Sequence, residues 1–304
     1  MVFSRGSGSP PKQRNMILIA DSGSTKCDWA LVDERGSRLG AFETMGLNPY
    51  FHNEDVIAQA VRSNAPLALY ADKIRHVFFY GAGSSTETMC GIVRRGLSRV
   101  FPGACIMVDH DLVGCAYATY DGEPCISCIL GTGSNSCFFD GEEIREEVPS
   151  LAYILGDEAS GSFFGKILLR EYFYRKLPAD LRESFEQAYT LSKDEFISRV
   201  YREPNANVYL ASFTRFIGQH AHHPHVVEWV VRGMREFIDI HVKCFPEHTA
   251  APVHFIGSIS HYFSHCLEQA AREEGIRLGR IIKKPIDGLV NYHVKYKIPQ
   301  LAGH

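Results

Sequence analysis

The sequence lacks a long hydrophobic run and lacks an excess of charge of either sign. None of its apolar stretches reaches the ~18 residues that a membrane-spanning helix needs. Its formal net charge is only −3, which argues against a protein that binds nucleic acid by neutralising many phosphates. We therefore expect neither a membrane protein nor a nucleic-acid-binding protein.

A secretory signal is also missing. The N-terminal residues 1–15 contain no apolar core, and we predict that they form a disordered leader. The nine cysteines are odd in number and irregularly spaced. Together these features predict free thiols in a reducing cytoplasm rather than a disulfide framework.

What the sequence does contain is typical of an ordinary globular enzyme. Hydrophobic residues make up 45% and charged residues 22%, which is enough apolar material for a sizeable core. At about 100–200 residues per domain, the length of 304 residues predicts two domains.

Two segments repeat one pattern of strand, short polar loop and second strand. The first segment covers residues 16–32, with the loop Asp21-Ser-Gly-Ser-Thr25, and the second covers 125–139, with the loop Gly131-Thr-Gly-Ser-Asn-Ser136. This repetition predicts two related halves, although two unrelated hairpins would give the same pattern. Elsewhere helical and strand patterns alternate, which predicts an α/β fold with mixed or parallel sheets. The predicted helices are 55–69, 87–100 and 264–274 with a mainly helical stretch over 160–245, and the predicted strands are 76–80, 105–108, 252–256 and 278–282.

Both loop tips have the composition of a phosphate-binding loop. Small residues let backbone N–H groups approach an anion, and Lys26 adds a positive charge beside the first tip. Asp21, at the end of the first strand, is placed to hold Mg²⁺ through water. One such tip is usually only a turn, but two at equivalent positions predict a nucleotide in a cleft between the halves. Further hydroxyl donors are available at Ser22, Ser24, Thr25, Thr132 and Ser134.

Two acidic segments are candidates for chemistry. Asp111 follows a predicted strand, where a carboxylate points into the crevice that binds ligands in open α/β sheets. Transfer of a phosphoryl group to an alcohol needs such a group to accept the hydroxyl proton. The second segment, Gly156–Gly161, contains Asp157 and Glu158. Helix capping is the alternative role for all of these carboxylates.

Four motifs now suggest a family. In order and spacing they resemble the phosphate-1, phosphate-2, sugar-side and adenosine motifs of N-acetylglucosamine kinases, in the benzoyl-CoA-reductase/dehydratase-activator ATPase group of the actin, sugar kinase and heat-shock chaperone superfamily. The resemblance extends over residues 16–296. The motifs are Asp21-Ser-Gly-Ser-Thr-Lys26, Gly131-Thr-Gly-Ser-Asn135, Leu155-Gly-Asp-Glu-Ala-Ser-Gly161 and Phe255-Ile-Gly-Ser258.

The resemblance implies a two-domain, ribonuclease-H-like (actin-like ATPase) α/β fold with ATP and Mg²⁺ in the interdomain cleft. It implies one domain over 16–113, a second over 114–284, and a C-terminal helix within 285–304 that packs back on the first domain. The implied activity is an ATP-dependent kinase acting on the 6-hydroxyl of N-acetylglucosamine or a related amino sugar. A homodimer is left open.

The resemblance also assigns roles to residues. Asp111 is implied as the catalytic base. The Mg²⁺ in the implied site fits the position of Asp21, expected above to hold the ion through water. ATP contacts are implied by the resemblance for Thr25, Thr132, Gly257 and Ser258. The composition of the two loops adds Ser22, Gly23, Ser24, Lys26, Gly131 and Gly133 as expected ATP contacts. Sugar contacts are implied for Asn48, Asp111, Ser134, Asn135 and Asp157.

One departure affects the substrate. The family carries a Trp and a His just before its Gly-Asp-Glu motif, where they help to form the acyl-amino pocket. Here the corresponding residues are Leu151 and Tyr153. Glucosamine, N-acetylmuramic acid and other hexoses therefore remain alternatives to N-acetylglucosamine.

Two other functions remain as alternatives. One is an ATPase that activates a dehydratase or reductase, with Cys90, Cys115 and Cys137 as candidate iron–sulfur ligands. The other is a non-catalytic sugar sensor on the same scaffold. We expect no metal site at the Cys125–Cys128 pair, which falls in a predicted strand, or at the histidines between 220 and 225.

Overall fold

A computed structural model describes residues 15–301 of the chain. Residues 1–14 and 302–304 lie outside the described part, so the prediction of a leader over 1–15 falls almost entirely outside it.

The chain folds around two five-stranded sheets. The first sheet contains β1 (Met16–Ser22), β2 (Lys26–Asp33), β3 (Arg38–Met45), β4 (Ile74–Gly81) and β5 (Cys105–His110). The second sheet contains β6 (Cys125–Leu130), β7 (Ser134–Phe139), β8 (Ile144–Arg145), β9 (Val253–Ile256) and β10 (Leu278–Ile282).

The two sheets have the same topology. The first has the order β3-β2-β1-β4-β5, and the second, taken in the equivalent direction, has the order β8-β7-β6-β9-β10. In each sheet three strands form an antiparallel meander, and two more strands are added in parallel. The prediction of two related halves that each open with a hairpin is confirmed.

Helices cover both halves. The first half has α1 (Glu54–Arg62), α2 (Ala65–Ala68) and α3 (Glu87–Ser98), and α4 (Asp111–Thr119) leads from the first sheet to the second. The helices of the second half are α5 (Ala152–Leu155), α6 (Gly161–Phe173), α7 (Ala179–Ala188), α8 (Lys193–Tyr201), α9 (Ala206–Ser212), α10 (Thr214–Gln219), α11 (Pro224–His241), α12 (Ser258–Tyr262) and α13 (Ser264–Glu274). The described chain ends with α14 (Ile286–Tyr292), a π-helical segment (His293–Lys297) and α15 (Ile298–Leu301).

Helix α4 lies between the two sheets. Its residues Cys115 and Ala118 pack in one cluster with Ile17 and Ile19 of β1. Its residues Leu112 and Ala116 pack in another cluster with Cys137 and Phe139 of β7. The start of α4 is therefore fixed at the boundary between the halves.

Helix α14 covers the same face of the first sheet. Its residues Ile286, Leu289 and Val290 belong to the cluster that contains Ile17 and Ile19. The His293 ring, just after α14, is fully buried, and its Nε2 lies 3.0 Å from the Tyr80 hydroxyl. The end of the chain thus packs onto strands from its beginning.

In the first half, the structure differs from the sequence prediction in two places. Strand β3 was not predicted, because it is an edge strand with weak apolar alternation and several exposed residues. The single helix predicted over 55–69 is two helices, α1 and α2. Asn64 caps α2 by accepting a hydrogen bond from Leu67 N, and Pro66 lacks the N–H that a continuous helix would need.

All nine cysteines are free thiols, as predicted. Within residues 15–301, no helix is both long and apolar enough to cross a membrane.

Candidate active site

The first hairpin tip follows β1 and is closed by a tight turn. The Gly23 N–H donates to the Lys26 carbonyl at 2.9 Å. Ser22 is buried, and its Oγ accepts a hydrogen bond from Leu47 N at 2.9 Å. Ser24 and Thr25, at the tip, are more exposed than Ser22. Of the predicted phosphate contacts here, Ser22 has a structural role as well, because it ties the tip to the loop that carries Asn48.

Asp21 is surrounded by charge. It lies directly opposite Asp28 in the β1–β2 register, so the two carboxylates share one face of the sheet. Burial, and after it the negative charges of Asp111 and Asp28, raise the pKa of Asp21 to about 7, although the nearby Lys284 ammonium acts in the opposite direction. A carboxyl group with these neighbours is stabilised as an anion by any cation that enters the site.

Lys26 is engaged in ion pairs across the sheet. Its ammonium nitrogen lies 3.1 Å from Asp28 Oδ1 and also contacts the Glu43 carboxylate on β3. The positive charge predicted beside the first tip is present, but it is shared with two carboxylates.

Asn48 is buried in the loop after β3, with 7% of its surface exposed. Its Oδ1 accepts a hydrogen bond from Tyr50 N at 2.9 Å, which fixes the orientation of the side-chain amide. An amide held in this way is preorganised to bind a polar ligand group.

Asp111 is the first residue of α4. The N-cap is the preceding residue, His110, so the capping alternative for Asp111 does not hold. The His110 Nε2 atom lies 3.1 Å from Asp111 Oδ1, and the Asp111 side chain is 26% exposed. A partly exposed carboxylate at the boundary between the halves is accessible to a substrate and is oriented by its neighbour.

The second hairpin tip is held by backbone groups. Within it, Gly131 N donates to Gly133 O at 2.9 Å. From the start of α6, Gly161 N donates to Gly131 O at 2.8 Å and Ser162 N donates to Thr132 O at 3.1 Å. These bonds fix the shape of the tip.

Gly257 supports the second tip from the side of β9. Its φ is +125°, and a Cβ atom there would lie 2.2 Å from the Leu130 carbonyl oxygen. Only glycine meets both requirements. The predicted adenosine motif, which includes Ser258, therefore abuts the predicted phosphate-2 motif.

Asp157 is buried beneath the second tip. Its exposed fraction is 8%, and its Oδ1 accepts a hydrogen bond from Ser134 N at 3.3 Å. Burial raises the pKa of Asp157, and the Ser134 hydrogen bond opposes that rise. The backbone at Asp157 has φ +57°, a strained conformation for a residue with a side chain.

The carboxylates of this segment do not cap α6. Ser160 is the N-cap, and its Oγ accepts a hydrogen bond from Phe163 N at 3.2 Å. The Ser134 hydroxyl donates to the Glu158 carbonyl at 2.7 Å, while Asn135 Oδ1 accepts from Ser136 N at 2.9 Å. The structure thus brings Ser134, Asn135 and Asp157 together at one end of β7.

A second set of contacts stabilises this end of β7 and was not predicted. The Nε2 atom of His241, in α11, lies 3.0 Å from Glu158 Oε2. The Ser136 hydroxyl donates to the His241 carbonyl at 2.5 Å. No sequence motif links these residues, because His241 lies 83 positions after Glu158.

Leu151 and Tyr153, the residues at the departure from the family pattern, are in or next to the short helix α5. Leu151 is 55% exposed, and Tyr153 is half-buried with its carbonyl bonded to the Lys166 ammonium. The histidines near position 220 have protein partners: Ser184 for His220, Asp180 for His223 and Glu171 for His225.

No protein-family model matches the chain, and no curated protein matches it. Among solved structures, a Porphyromonas gingivalis protein provisionally named an N-acetylglucosamine kinase is 39% identical, with a TM-score of 0.86. The match covers 92% of this chain and 99% of that chain.

Two more distant structures show the fold alone. A Chromobacterium violaceum protein, also provisionally named an N-acetylglucosamine kinase, is 17% identical with a TM-score of 0.69, and the match covers 92% and 99% of the two chains. A ROK family glucokinase from Streptomyces griseus, solved with glucose and AMPPNP, is 15% identical with a TM-score of 0.57, over 91% and 98%.

These structures confirm the predicted two-domain, actin-like ATPase fold of sugar kinases. The wider placement among activator ATPases stays a prediction. The 39% identity over nearly the whole of both chains shows that this chain belongs to the family of the Porphyromonas gingivalis protein, the N-acetylglucosamine kinase-like sugar kinases.

Proposed function

We propose that the protein transfers the γ-phosphoryl group of ATP to the 6-hydroxyl of N-acetylglucosamine or a related amino sugar. The observation that carries this proposal is the position of Asp111, at the first turn of the helix that lies between two topologically equivalent halves. Each half contributes one small-residue hairpin tip. The family membership supports the same reaction class.

Asp111 is the proposed catalytic base. Phosphoryl transfer depends mainly on positioning and charge stabilisation, and it also requires a group that accepts the proton of the attacking hydroxyl. Asp111 is exposed enough to meet a substrate, and His110 at 3.1 Å orients its carboxylate. We propose that Asp111 receives the sugar hydroxyl proton as the phosphoryl group is transferred.

The two tips are the proposed phosphate sites. Residues 23–26 would bind phosphate through backbone N–H groups, hydroxyls and the Lys26 ammonium, and residues 131–133 through backbone N–H groups and Thr132. Gly257 and Ser258 would lie beside the nucleoside. The fixed second tip supports this assignment, because a preorganised cradle loses little entropy when it binds an anion.

The residues present fit a magnesium ion held through water. In the described part of the chain, no group of three or more His, Cys, Asp or Glu residues could hold a metal directly. Asp21 is a partly buried carboxylate with the carboxylates of Asp111 and Asp28 nearby, and hard oxygen ligands of this kind suit Mg²⁺ that keeps most of its waters. When bound, Mg²⁺ would neutralise charge on the transferring phosphoryl group.

Sugar recognition is assigned to both halves. Asn48 in the first half and Ser134, Asn135 and Asp157 in the second are the proposed contacts to sugar hydroxyls. Asp157 is buried and strained, features that are typical of preorganised functional sites. Leu151 and Tyr153 stand at the positions of the family's Trp and His, so the proposed substrates include amino sugars other than N-acetylglucosamine.

The alternative of an activator ATPase fits the structure poorly. Its candidate ligands Cys90, Cys115 and Cys137 are all at most 8% exposed. Burial raises the pKa of each of these thiols, whereas cluster ligands must be thiolates. The structure thus provides no surface thiols at these positions for a cluster shared between subunits.

A coupled ADP-release screen tests the proposal. The panel contains N-acetylglucosamine, glucosamine, glucose and N-acetylmuramic acid, with 6-deoxy-N-acetylglucosamine as the matched control. We expect ADP release only with a sugar present, and inhibition without turnover by the 6-deoxy sugar. ATP hydrolysis at the same rate with and without every sugar would contradict the kinase activity. Turnover of the 6-deoxy sugar would contradict the 6-hydroxyl as the phosphorylated group.

A further inference from the structure

Lys284 lies just after β10, at the edge of the second sheet that also carries the second tip. Strand β10 ends at Ile282, whose carbonyl accepts a hydrogen bond from Gly257 N at 2.9 Å. Gly257 in turn packs against the carbonyl of Leu130, the residue before the tip. The carboxyl ends of parallel strands form the ligand-binding edge of such sheets. The chain leaves β10 at that edge, and Lys284 follows directly.

The side chain of Lys284 ends in the first half. Its ammonium nitrogen lies 3.3 Å from Asp28 Oδ1 on β2. The ammonium nitrogen of Lys26, from the first tip, lies 3.1 Å from the same oxygen atom. Two lysines from opposite halves therefore meet at one carboxylate beside the first tip.

This arrangement is suited to exchange. The Lys284 side chain is 50% exposed, and the Asp28 side chain is 18% exposed. A lysine is a compact charge on a flexible stem, so it can change partners without movement of the backbone. One carboxylate oxygen shared by two ammonium groups is a weaker partner for each than the several oxygens of a polyphosphate.

We propose that Lys284 is a phosphate-binding residue for ATP, which Asp28 holds in place across the cleft until the nucleotide binds. The inference rests on the proposed kinase function and adds to it a residue that none of the motifs includes. On ATP binding, Lys284 transfers its hydrogen bond from Asp28 to a phosphate oxygen. Asp28 thus competes with the nucleotide for the Lys284 ammonium.

The competing explanation is a purely structural bridge between the halves. The two explanations differ in the sign of one effect. If Asp28 and Lys284 only connect the halves, removing either partner breaks the same bond, and both variants change nucleotide affinity in the same direction. If Asp28 competes with ATP, removing Lys284 weakens binding and removing Asp28 strengthens it.

The experiment measures the Kd of a non-hydrolysable ATP analogue with Mg²⁺ by isothermal titration calorimetry. For Lys284→Met we expect a Kd raised about tenfold, as for the loss of one hydrogen bond to a charged group. For Asp28→Asn we expect a Kd lowered about threefold. Lys295→Met is the matched control and should leave the Kd unchanged, because it removes an exposed lysine in the π-helical segment whose ammonium lies over the Tyr296 ring.

A double variant separates the competition from other effects of Asp28. Asp28→Asn also removes a negative charge opposite Asp21 and the ion-pair partner of Lys26. Both effects would tighten binding of the magnesium complex without any part played by Lys284. In the Lys284→Met background, the gain from Asp28→Asn should therefore shrink to less than half. An undiminished gain, an unchanged Kd in Lys284→Met, or weaker binding in both single variants would each overturn the proposal.

The binding measurement does not depend on turnover. Sugar-dependent ADP release by the unaltered protein tests the kinase function, and the signs of the Kd changes test Lys284. If the protein binds the analogue but phosphorylates no sugar, the kinase function is contradicted, whereas the proposed role of Lys284 in nucleotide binding is not.

Discussion

The two hairpin tips have equivalent positions in sheets of the same topology, yet the protein stabilises them in different ways. A glycine backs each tip closely: a Cβ atom at Gly46 would lie 2.3 Å from Gly23 O, and one at Gly257 would lie 2.2 Å from Leu130 O. The first tip is bordered by charged side chains that pair with one another. Each tip is closed by a backbone hydrogen bond within it, and the second tip is held in addition by N–H groups from the start of α6.

This difference separates two requirements of a polyphosphate site. Charged side chains can exchange partners, so the first tip is able to adjust its charge when an anion binds. Backbone hydrogen bonds leave little freedom, so the second tip offers a fixed shape. We infer that the first half supplies adaptable charge and the second half supplies preorganised geometry.

The largest effect is expected where the two halves meet. Asp111→Asn keeps the size of the side chain but cannot accept a proton as a carboxylate does. We predict that kcat falls by about 10²–10⁴-fold while the Kd for ATP changes little, measured by the coupled assay and by calorimetry. A variant that stays fully active would show that Asp111 is not the base.

The next effect tests the fixed shape of the second tip. Gly257→Ala combines the strain of a positive φ, about 1–3 kcal/mol, with an overlap that adds a similar amount. Gly122 is the matched control, because its φ is +117° and a Cβ atom there would have nothing within 4 Å. Urea unfolding should show a loss of at least about 3 kcal/mol for Gly257→Ala and a clearly smaller loss for Gly122→Ala. Equal losses would mean that close packing at Gly257 contributes nothing.

The third prediction concerns the pH dependence of stability that comes from His293, which packs against the first sheet beside Tyr80. Burial lowers the pKa of His293 to about 4, although its hydrogen bond to Leu289 O favours the protonated form. The unfolded chain binds this proton below about pH 6.5, so stability is fully present above that pH and falls as the pH drops toward 4. The part of this loss that depends on His293 is about 3 kcal/mol. It is measured as the difference between the unaltered protein and His293→Gln in urea unfolding between pH 4.5 and 7.5, because the raised pKa of Asp21 changes stability in the opposite direction.

His254 contributes a second pH dependence of stability, with which that of His293 is compared. It lies in β9 of the second half, and burial lowers its pKa to about 4 as well. His293→Gln should therefore remove only part of the pH dependence and leave the part due to His254. A slope that does not change in His293→Gln would show that His293 is not buried as a neutral ring.

The smallest effect is expected at the charged border of the first tip. Glu43→Gln breaks an ion pair with Lys26 in which the Glu43 side chain is 62% exposed. Exposed pairs contribute less than about 1 kcal/mol, so the melting temperature should hardly change. A large loss would show that the charges around the first tip stabilise the fold, against the division of roles inferred above.

Much of the fold could be predicted because its signals are local. The hairpins and strand β10, predicted over 278–282 and observed as Leu278–Ile282, are apolar runs bounded by turn residues. Strand β3 escaped prediction because an edge strand with exposed residues has no strong apolar pattern. The break at Pro66 was missed because the apolar residues continue across it.

The candidate site was predictable only where short motifs mark it. Asp21, Asp111 and both tips lie at strand ends, and strand ends can be read from a single sequence. Their partners cannot be read in this way, since Lys284 contacts a carboxylate 256 positions away in the chain. Such contacts arise from tertiary packing, which local patterns do not encode.

The packing of α14 has a consequence for the order of folding during synthesis. The apolar face of β1 and β2 that carries Ile17, Ile19, Ala30 and Val32 is covered by residues of α14, near the end of the described chain. The ribosome makes α14 after both sheets. That face of the first sheet therefore stays open to water, or to a chaperone, until α14 has been synthesised and has packed against it.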